Sequence, residues 1–453
     1  MNARSEFWSG RVGFILATIG SAVGLGSIWK FPYEVGANGG SAFLLLYLVG
    51  LVLVVVPLML AELAIGRRGR GDPARSIAAV AAANGASRRW AFFGVLGVAA
   101  CFLILSFYSV IGGWTIRYAL DTAWRGLPGA DPLAVRTQYE AFLAAPLPMM
   151  GYHALFMAVT AWIVARGVAR GIEAAVKLLM PLLGALMVAL AGYGVIEGDL
   201  QATLRFLLQV DVQHLTARTA LEALGLGFFS IGVGVGLMIT YGAYGSGEVD
   251  LKQVAIVSVI ADTAISLLAG LAVFPIVFAH GLDPASGPGL VFVTLPLAFA
   301  QMPFGVAAAV AFYALLFVAA LASAISLLEP LVALLVRTGW RRPVASLVGA
   351  ASCYLLGVAT VLSFNLWAGW FPLGRFEVFA TATVFDLVDQ LTSNLLLPVG
   401  GLAIAVFAGW ALPRRMLVEE LRLGPRAAKA VMLTLRYIAP AGIVTASFAW
   451  VLK

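Results

Sequence analysis

Charge is scarce in this chain: only 11% of its 453 residues are Asp, Glu, Lys or Arg, while 62% are hydrophobic. A water-soluble globule cannot cover itself with so little polar surface, so the chain is an integral membrane protein. Cysteine is nearly absent. Cys101 and Cys353 fall in separate apolar segments, which excludes a disulfide framework or a thiolate metal site and leaves packing as their role. Histidine is limited to His153, His214 and His280, scattered with no metal-ligand spacing and no carboxylate partner adjacent in sequence. The glycine run Gly232–Gly236 follows no strand and is no nucleotide loop. With no reactive constellation, the chain does not read as an enzyme.

What is present is a series of long apolar runs. At about 20 residues per span, they predict eleven transmembrane helices, over residues 11–36, 41–66, 89–122, 151–168, 171–193, 219–245, 251–280, 305–337, 344–364, 380–411 and 428–451. A first segment running on into Trp29-Lys30-Phe31-Pro32 without a cleavage pattern is a span and not a signal peptide. The net charge of +7 is no nucleic-acid footprint, because the basic residues sit in short clusters between spans. Those clusters, among them Arg67, Arg68, Arg70, Arg75, Arg166, Arg170, Arg337, Arg341, Arg414 and Arg415, fall on one side if the chain starts in the cytosol. The expected topology has the N-terminus inside, Lys453 outside, and a multi-pass location in the inner (cytoplasmic) membrane. Two outer connections, 123–150 and 281–304, are long enough to fold back as lids, the second as a re-entrant segment.

Two of the spans are badly made as helices. Gly20-Ser21-Ala22-Val23-Gly24-Leu25-Gly26-Ser27 carries three glycines and two serines, and Gly225–Gly236 carries five glycines. Each glycine costs about 1 kcal/mol of helix propensity relative to alanine, and irregular backbone at membrane depth is tolerated only against protein or a wet cavity. Such paired interruptions in the two halves of a chain point to a secondary transporter's binding site. A zwitterion held there needs donors for its carboxylate and acceptors for its ammonium. Free amides at Gly24, Leu25 and Gly26, at the positive end of a half-helix, supply the first; free carbonyls at Ala22, Phe229 and Ser230 supply the second. The bland alternative is that Gly20/Gly24 and Gly232/Gly236 are small-residue packing surfaces.

The run Gly20 to Pro32, followed by Asn38-Gly39-Gly40-Ser41-Ala42-Phe43 and by Pro57 to Arg67, closely resembles the neurotransmitter:sodium symporter family, in its bacterial amino-acid branch. Tyr108 with Trp114, Arg166 to Glu173, Phe228-Phe229-Ser230, Ser323 with Glu329-Pro330, and Phe385-Asp386 with Asp389 extend the resemblance over essentially the whole chain. It implies an all-α integral membrane fold of the LeuT type: eleven transmembrane helices in which 11–193 and 219–411 are inverted five-helix repeats, helices 1 and 6 are unwound at the midplane, and 428–451 is an added eleventh helix. It also implies cotransport of a small amino acid with sodium by alternating access. Two rivals remain: a proton-coupled or other small-amine transporter of the same fold, and a substrate sensor that no longer cycles.

By the same resemblance, Tyr108 donates to the substrate carboxylate and Phe229 closes over it. Ser21, Ile104, Gly232, Val235, Ser323 and Leu327 line its side-chain pocket. Glycine and valine at 232 and 235, where relatives of compact-substrate preference carry serine and phenylalanine, enlarge an apolar pocket. The expected substrate is a bulky aliphatic or aromatic neutral amino acid. One sodium site would use the Ala22 carbonyl with Ser27, Ser230 and Asp262, the second the carbonyls of Gly20, Val23 and Ala319 with Ser323. Ala322 replaces a usual hydroxyl ligand there, so one or two ions are expected.

Asp262 is a carboxylate near the bilayer centre, where its insertion costs ~3 kcal/mol. Standing near Tyr47 and Ser266, with Leu226 where chloride-dependent relatives have glutamine, it supplies a permanent negative charge, and chloride is not expected. Lys30 and Asp389 would latch the outer gate, and Glu62 would hold the unwound backbone of helix 6. Gly171 and Pro181 resemble a motif at which helix 5 unwinds. The inner gate fits poorly: Arg4 lies one position off the usual base before Trp8, and Arg337 stands where an acid is expected.

Overall fold

The computed structural model describes residues 6–209, 211–284 and 289–451. Arg4 and Lys453 lie outside them. Among the described residues the chain is helical throughout its ordered elements, with no strand. Nine helices among those residues are long and apolar enough to cross a membrane: α2 (Ser41–Gly69), α3 (Arg88–Arg125), α4 (Pro146–Ala165), α5 (Val168–Glu197), α7 (Leu251–Ala279), α8 (Gly305–Arg337), α9 (Arg342–Ser363), α10 (Val384–Ala411) and α11 (Pro425–Thr445). The remaining two are broken. In α1, Arg11–Ala22 and Gly26–Ala37 meet at an angle of 49°. In α6, Ala217–Ile231 and Leu237–Ala243 are separated by the turn 232–236.

The breaks have local causes. Val23 leaves the helix in extended geometry (φ −79°, ψ 101°), and the chain re-enters through a widened turn over Gly26–Lys30. In α6, Gly232, Gly234 and Gly236 take φ of +72°, +89° and +76°, a region that side chains with a Cβ rarely adopt. Three positive-φ residues in five cannot carry a helix.

Around these breaks α3 and α8 pack along their length, α9 lies on α4, α7 on α5, and the lower half of α6 on α2. The core therefore lies inside the bundle, and apolar residues such as Val52, Phe92, Trp162 and Leu355 are left facing outward, where lipid would cover them. Helix ends differ from the sequence expectation by a few residues, most at α4, which starts at Pro146 and not near 151. Both expected lids contain helix: Pro132–Leu143, capped by Asp131, and an apolar stretch Leu290–Phe299 too short to span. Phe292 of the second packs into the rings of Trp29, Trp114, Tyr118, Tyr139 and Tyr313, which fixes it against the bundle.

Candidate functional site

The two breaks face each other. A Cβ on Gly26 would stand 3.1 Å from the Phe229 ring and 3.2 Å from Ser230 Cα, so any side chain there would push the half-helices apart by a few tenths of an ångström. Between them lies a cavity of about 430 Å³ of atom-free space. All but one of the substrate residues expected from sequence line it: Ser21, Ala22, Gly24, Gly26, Ile104, Tyr108, Phe229, Ser230, Gly232, Val235, Ser323 and Leu327. Leu25 does not. Its amide instead donates to the Tyr108 hydroxyl at 3.1 Å, which ties α3 to the break in α1. Leu237 and Leu397 also line the cavity and had not been expected.

A buried oxygen cluster flanks the cavity on one side. Ser27 Oγ donates to Asp262 at 2.5 Å, Ser230 Oγ reaches both carboxylate oxygens at 2.9 and 3.1 Å, and the Tyr47 hydroxyl donates at 3.2 Å. Asp262 is fully buried with hydroxyls for partners, and among the described residues no cationic side chain pairs with it. An ionised carboxylate in that setting lacks a counter-charge, and a small cation among its oxygens would supply one. On the other side Ser323 Oγ lies 3.4 Å from the Gly20 and Val23 carbonyls and 3.5 Å from that of Ser21. Ala319 lies buried one turn earlier on α8. Carbonyls freed by the break in α1 thus converge on one hydroxyl, a neutral oxygen set that suits sodium. Ser21 was not expected to contribute a carbonyl.

Glu62, fully buried on α2, accepts from the Gly234 amide at 2.6 Å and so satisfies backbone that the turn in α6 leaves open. Gly171 sits in the widened turn Val168–Glu173, where a Cβ would run into the Ile163 carbonyl. α5 continues unbroken through Pro181, so the expected unwinding is not present here.

The two residues expected to form a latch stand apart. Lys30 Nζ lies over the Phe229 ring at 4.8 Å from its centroid, and Asp389 accepts from Ser393 at 3.0 Å. Among the described residues the two form no ion pair. A vestibule of about 1490 Å³ of atom-free space, bordered by Lys30, Glu34, Glu222, Gln390 and Asn394, lies at this end, next to the cavity across Phe228–Phe229 and Leu397–Pro398.

The opposite end is shut. The Trp8 indole donates to the Tyr241 carbonyl at 3.0 Å and stacks on Phe14 at 5.7 Å. Arg342 bridges Glu6 at 2.7 Å and Glu329 at 2.5 Å, and Tyr244 donates to Glu329 at 2.5 Å. Among the described residues this end is therefore closed by an ion pair with the acid on the N-terminal segment and the base at the start of α9. Arg337, the residue that broke the expected pattern, pairs with Asp72 at 2.8 Å. Sequence reasoning missed the bridge because it looked for a base near Trp8; Glu6, two residues before that tryptophan, was the available signal.

Two helices broken around one cavity, with a buried oxygen cluster on either side, one end open and the other shut, define a LeuT-type secondary transporter. The chain matches the sodium:neurotransmitter symporter family over residues 5–133 and 148–398. It is 36% identical over 444 residues, 96% of each chain, to YhdH of Bacillus subtilis (strain 168), described as an uncharacterized sodium-dependent transporter. The crystal structure of MhsT in complex with L-phenylalanine matches it with a TM-score of 0.89 and 41% identity, over 98% of this chain and 99% of that one. A shorter match, 35% identical over 121 residues (27% of this chain, 16% of the other), is to the sodium-dependent neutral amino acid transporter B(0)AT2 of Rattus norvegicus. The chain belongs to the sodium:neurotransmitter symporter family, a family of sodium-dependent membrane transporters and not of enzymes.

Proposed function

We propose that the protein imports neutral, hydrophobic amino acids, bulky aliphatic or aromatic, in symport with sodium by alternating access. The observation that carries this reading is the polarity of the central cavity. It is lined by the break in α1 and by Tyr108, and otherwise by Ile104, Val235, Leu237, Leu327 and Leu397 with only the neutral hydroxyls of Ser21, Ser230 and Ser323. The backbone end suits a carboxylate and an ammonium, whereas a charged substrate side chain would meet no partner along that wall. The bound L-phenylalanine of MhsT and the neutral substrates of the B(0)AT2 relative agree with it.

In this reading one sodium ion sits among Ala22, Ser27, Ser230, Asp262 and the substrate carboxylate, so that ion and substrate favour each other's binding. A second is held by Gly20, Val23, Ala319 and Ser323, with the Ser21 carbonyl close by. Asp262 carries the negative charge that chloride supplies elsewhere, and transport proceeds without chloride. Residues 11–193 and 219–411 act as inverted repeats beside the eleventh helix. The N-terminus and the shut end face the cytoplasm, the C-terminus lies outside, and the membrane is the cell's inner one. Lys30 and Asp389 approach only when the vestibule closes.

The test is binding of radiolabelled tryptophan and leucine to purified protein, titrated with sodium at constant ionic strength, with chloride and then with gluconate. Saturable binding that rises with sodium and ignores the anion is expected. Equal competition by glycine, glutamate or lysine would sink the substrate class, and binding indifferent to sodium would discard both ion sites.

A further inference from the structure

Leu237 and Leu397 both line the central cavity, yet they differ in freedom. Leu397 belongs to a stretch of α10 seated directly on the turn in α6. A Cβ on Gly234 would stand 2.6 Å from the Leu397 carbonyl and 2.8 Å from the Gly401 amide, and one on Gly400 would overlap the Gly234 carbonyl. Backbone meets backbone there, so the wall that α10 provides is fixed.

Leu237 is held differently. It is the first residue of the lower half of α6, and its Cδ1 lies 2.8 Å from the point a Cβ would occupy on Gly232. Among the described residues, chain neighbours aside, no other heavy atom comes within 4 Å of that point. The room that a side chain at 232 would fill is thus used by one methyl of the residue five positions on.

We infer that Leu237, tucked into the space left by Gly232, is the floor that sets how long a substrate side chain the cavity accepts. This rests on the proposed function, since it assumes that the cavity holds a substrate side chain. Gly232 does more than tolerate φ +72°: by carrying no Cβ it gives Leu237 a place to withdraw to. A side chain at 232 pushes the leucine methyl up into the cavity and shortens it. A smaller residue at 237 deepens the cavity, and a larger one fills it.

The experiment measures sodium-dependent binding of tryptophan, leucine and valine to purified wild type, Leu237→Ala, Leu237→Phe, Gly232→Ala and the double variant Gly232→Ala/Leu237→Ala. A methylene in an apolar pocket discriminates by roughly 10- to 200-fold. The tryptophan-to-leucine affinity ratio should therefore rise ~10-fold in Leu237→Ala and fall ~10-fold in Leu237→Phe. Gly232→Ala should lose tryptophan affinity, and the double variant should regain the part owed to the displaced Leu237 methyl, the strain of a Cβ at φ +72° remaining. A ratio that stays within about threefold in both Leu237 variants, against steps of that size, overturns the inference. If Leu237→Ala does not fold, Leu237→Phe decides the matter. Wild type that binds no amino acid in sodium removes the proposed function and this inference with it; intact wild-type binding with an unmoved ratio removes only the inference.

Discussion

At the residue scale the centre of the molecule depends on a few polar atoms in apolar surroundings. Tyr108 is the clearest. Its hydroxyl takes the Leu25 amide, and Tyr108→Phe leaves that buried donor unpaired at a cost of about 1–3 kcal/mol. The expected outcome is a substrate Kd raised roughly 10- to 100-fold, measured by competition binding at saturating sodium. Asp262 is tested through the ion. Hydrogen bonds to a charged group are worth about 1.5–3 kcal/mol, so Asp262→Asn should raise the half-saturating sodium concentration at least ~10-fold. Chloride should stimulate uptake by that variant and not by wild type. Ser27, Ser230 and Asp262 meet across three helices, and no local spacing announces such a meeting; family resemblance made it legible. Lys30 and Asp389 were legible as residues but their contacts were not: the lysine lies over Phe229 and the aspartate accepts from Ser393.

Elements were easier to read than contacts. The apolar runs mark every span, and the glycines that spoil two of them mark the breaks, since positive φ and close backbone approach leave a compositional trace. Short amphipathic pieces leave none: Pro73–Ala83, capped by Asp72, is a well-formed helix that hydropathy alone passes over. Leu237 and Leu397 were missed for a related reason, being leucines among many leucines. Gly171 offers a test at this scale. A Cβ there meets the Ile163 carbonyl and, at 3.0 Å, Arg166 Cβ, so Gly171→Ala overpacks the α4–α5 junction by about 1–3 kcal/mol. Its melting temperature in detergent should fall, with substrate specificity unchanged in the fraction that remains folded.

For the whole molecule, the state captured here follows from side chains at the shut end. Arg342 is 12% exposed and joins Glu6 to Glu329, and removing one partner of a largely buried pair costs about 3–5 kcal/mol. Arg342→Gln should thus shift the population toward opening at the N-terminal face. Faster amide hydrogen exchange over residues 6–22 in saturating sodium would show it; unchanged exchange would mean that Trp8 alone holds the seal.

The wide vestibule has an electrical consequence. Filled with solution, it would carry the potential of that face inward with it, so the membrane voltage drops across the rest of the protein, from the central cavity to the shut end. A sodium ion entering the vestibule then crosses little of the field, and the work of about 2.3 kcal/mol per charge per 100 mV falls on its passage to Asp262 and on the turnover of the loaded protein. Voltage is accordingly expected to act on those steps and to leave the first encounter with sodium nearly alone.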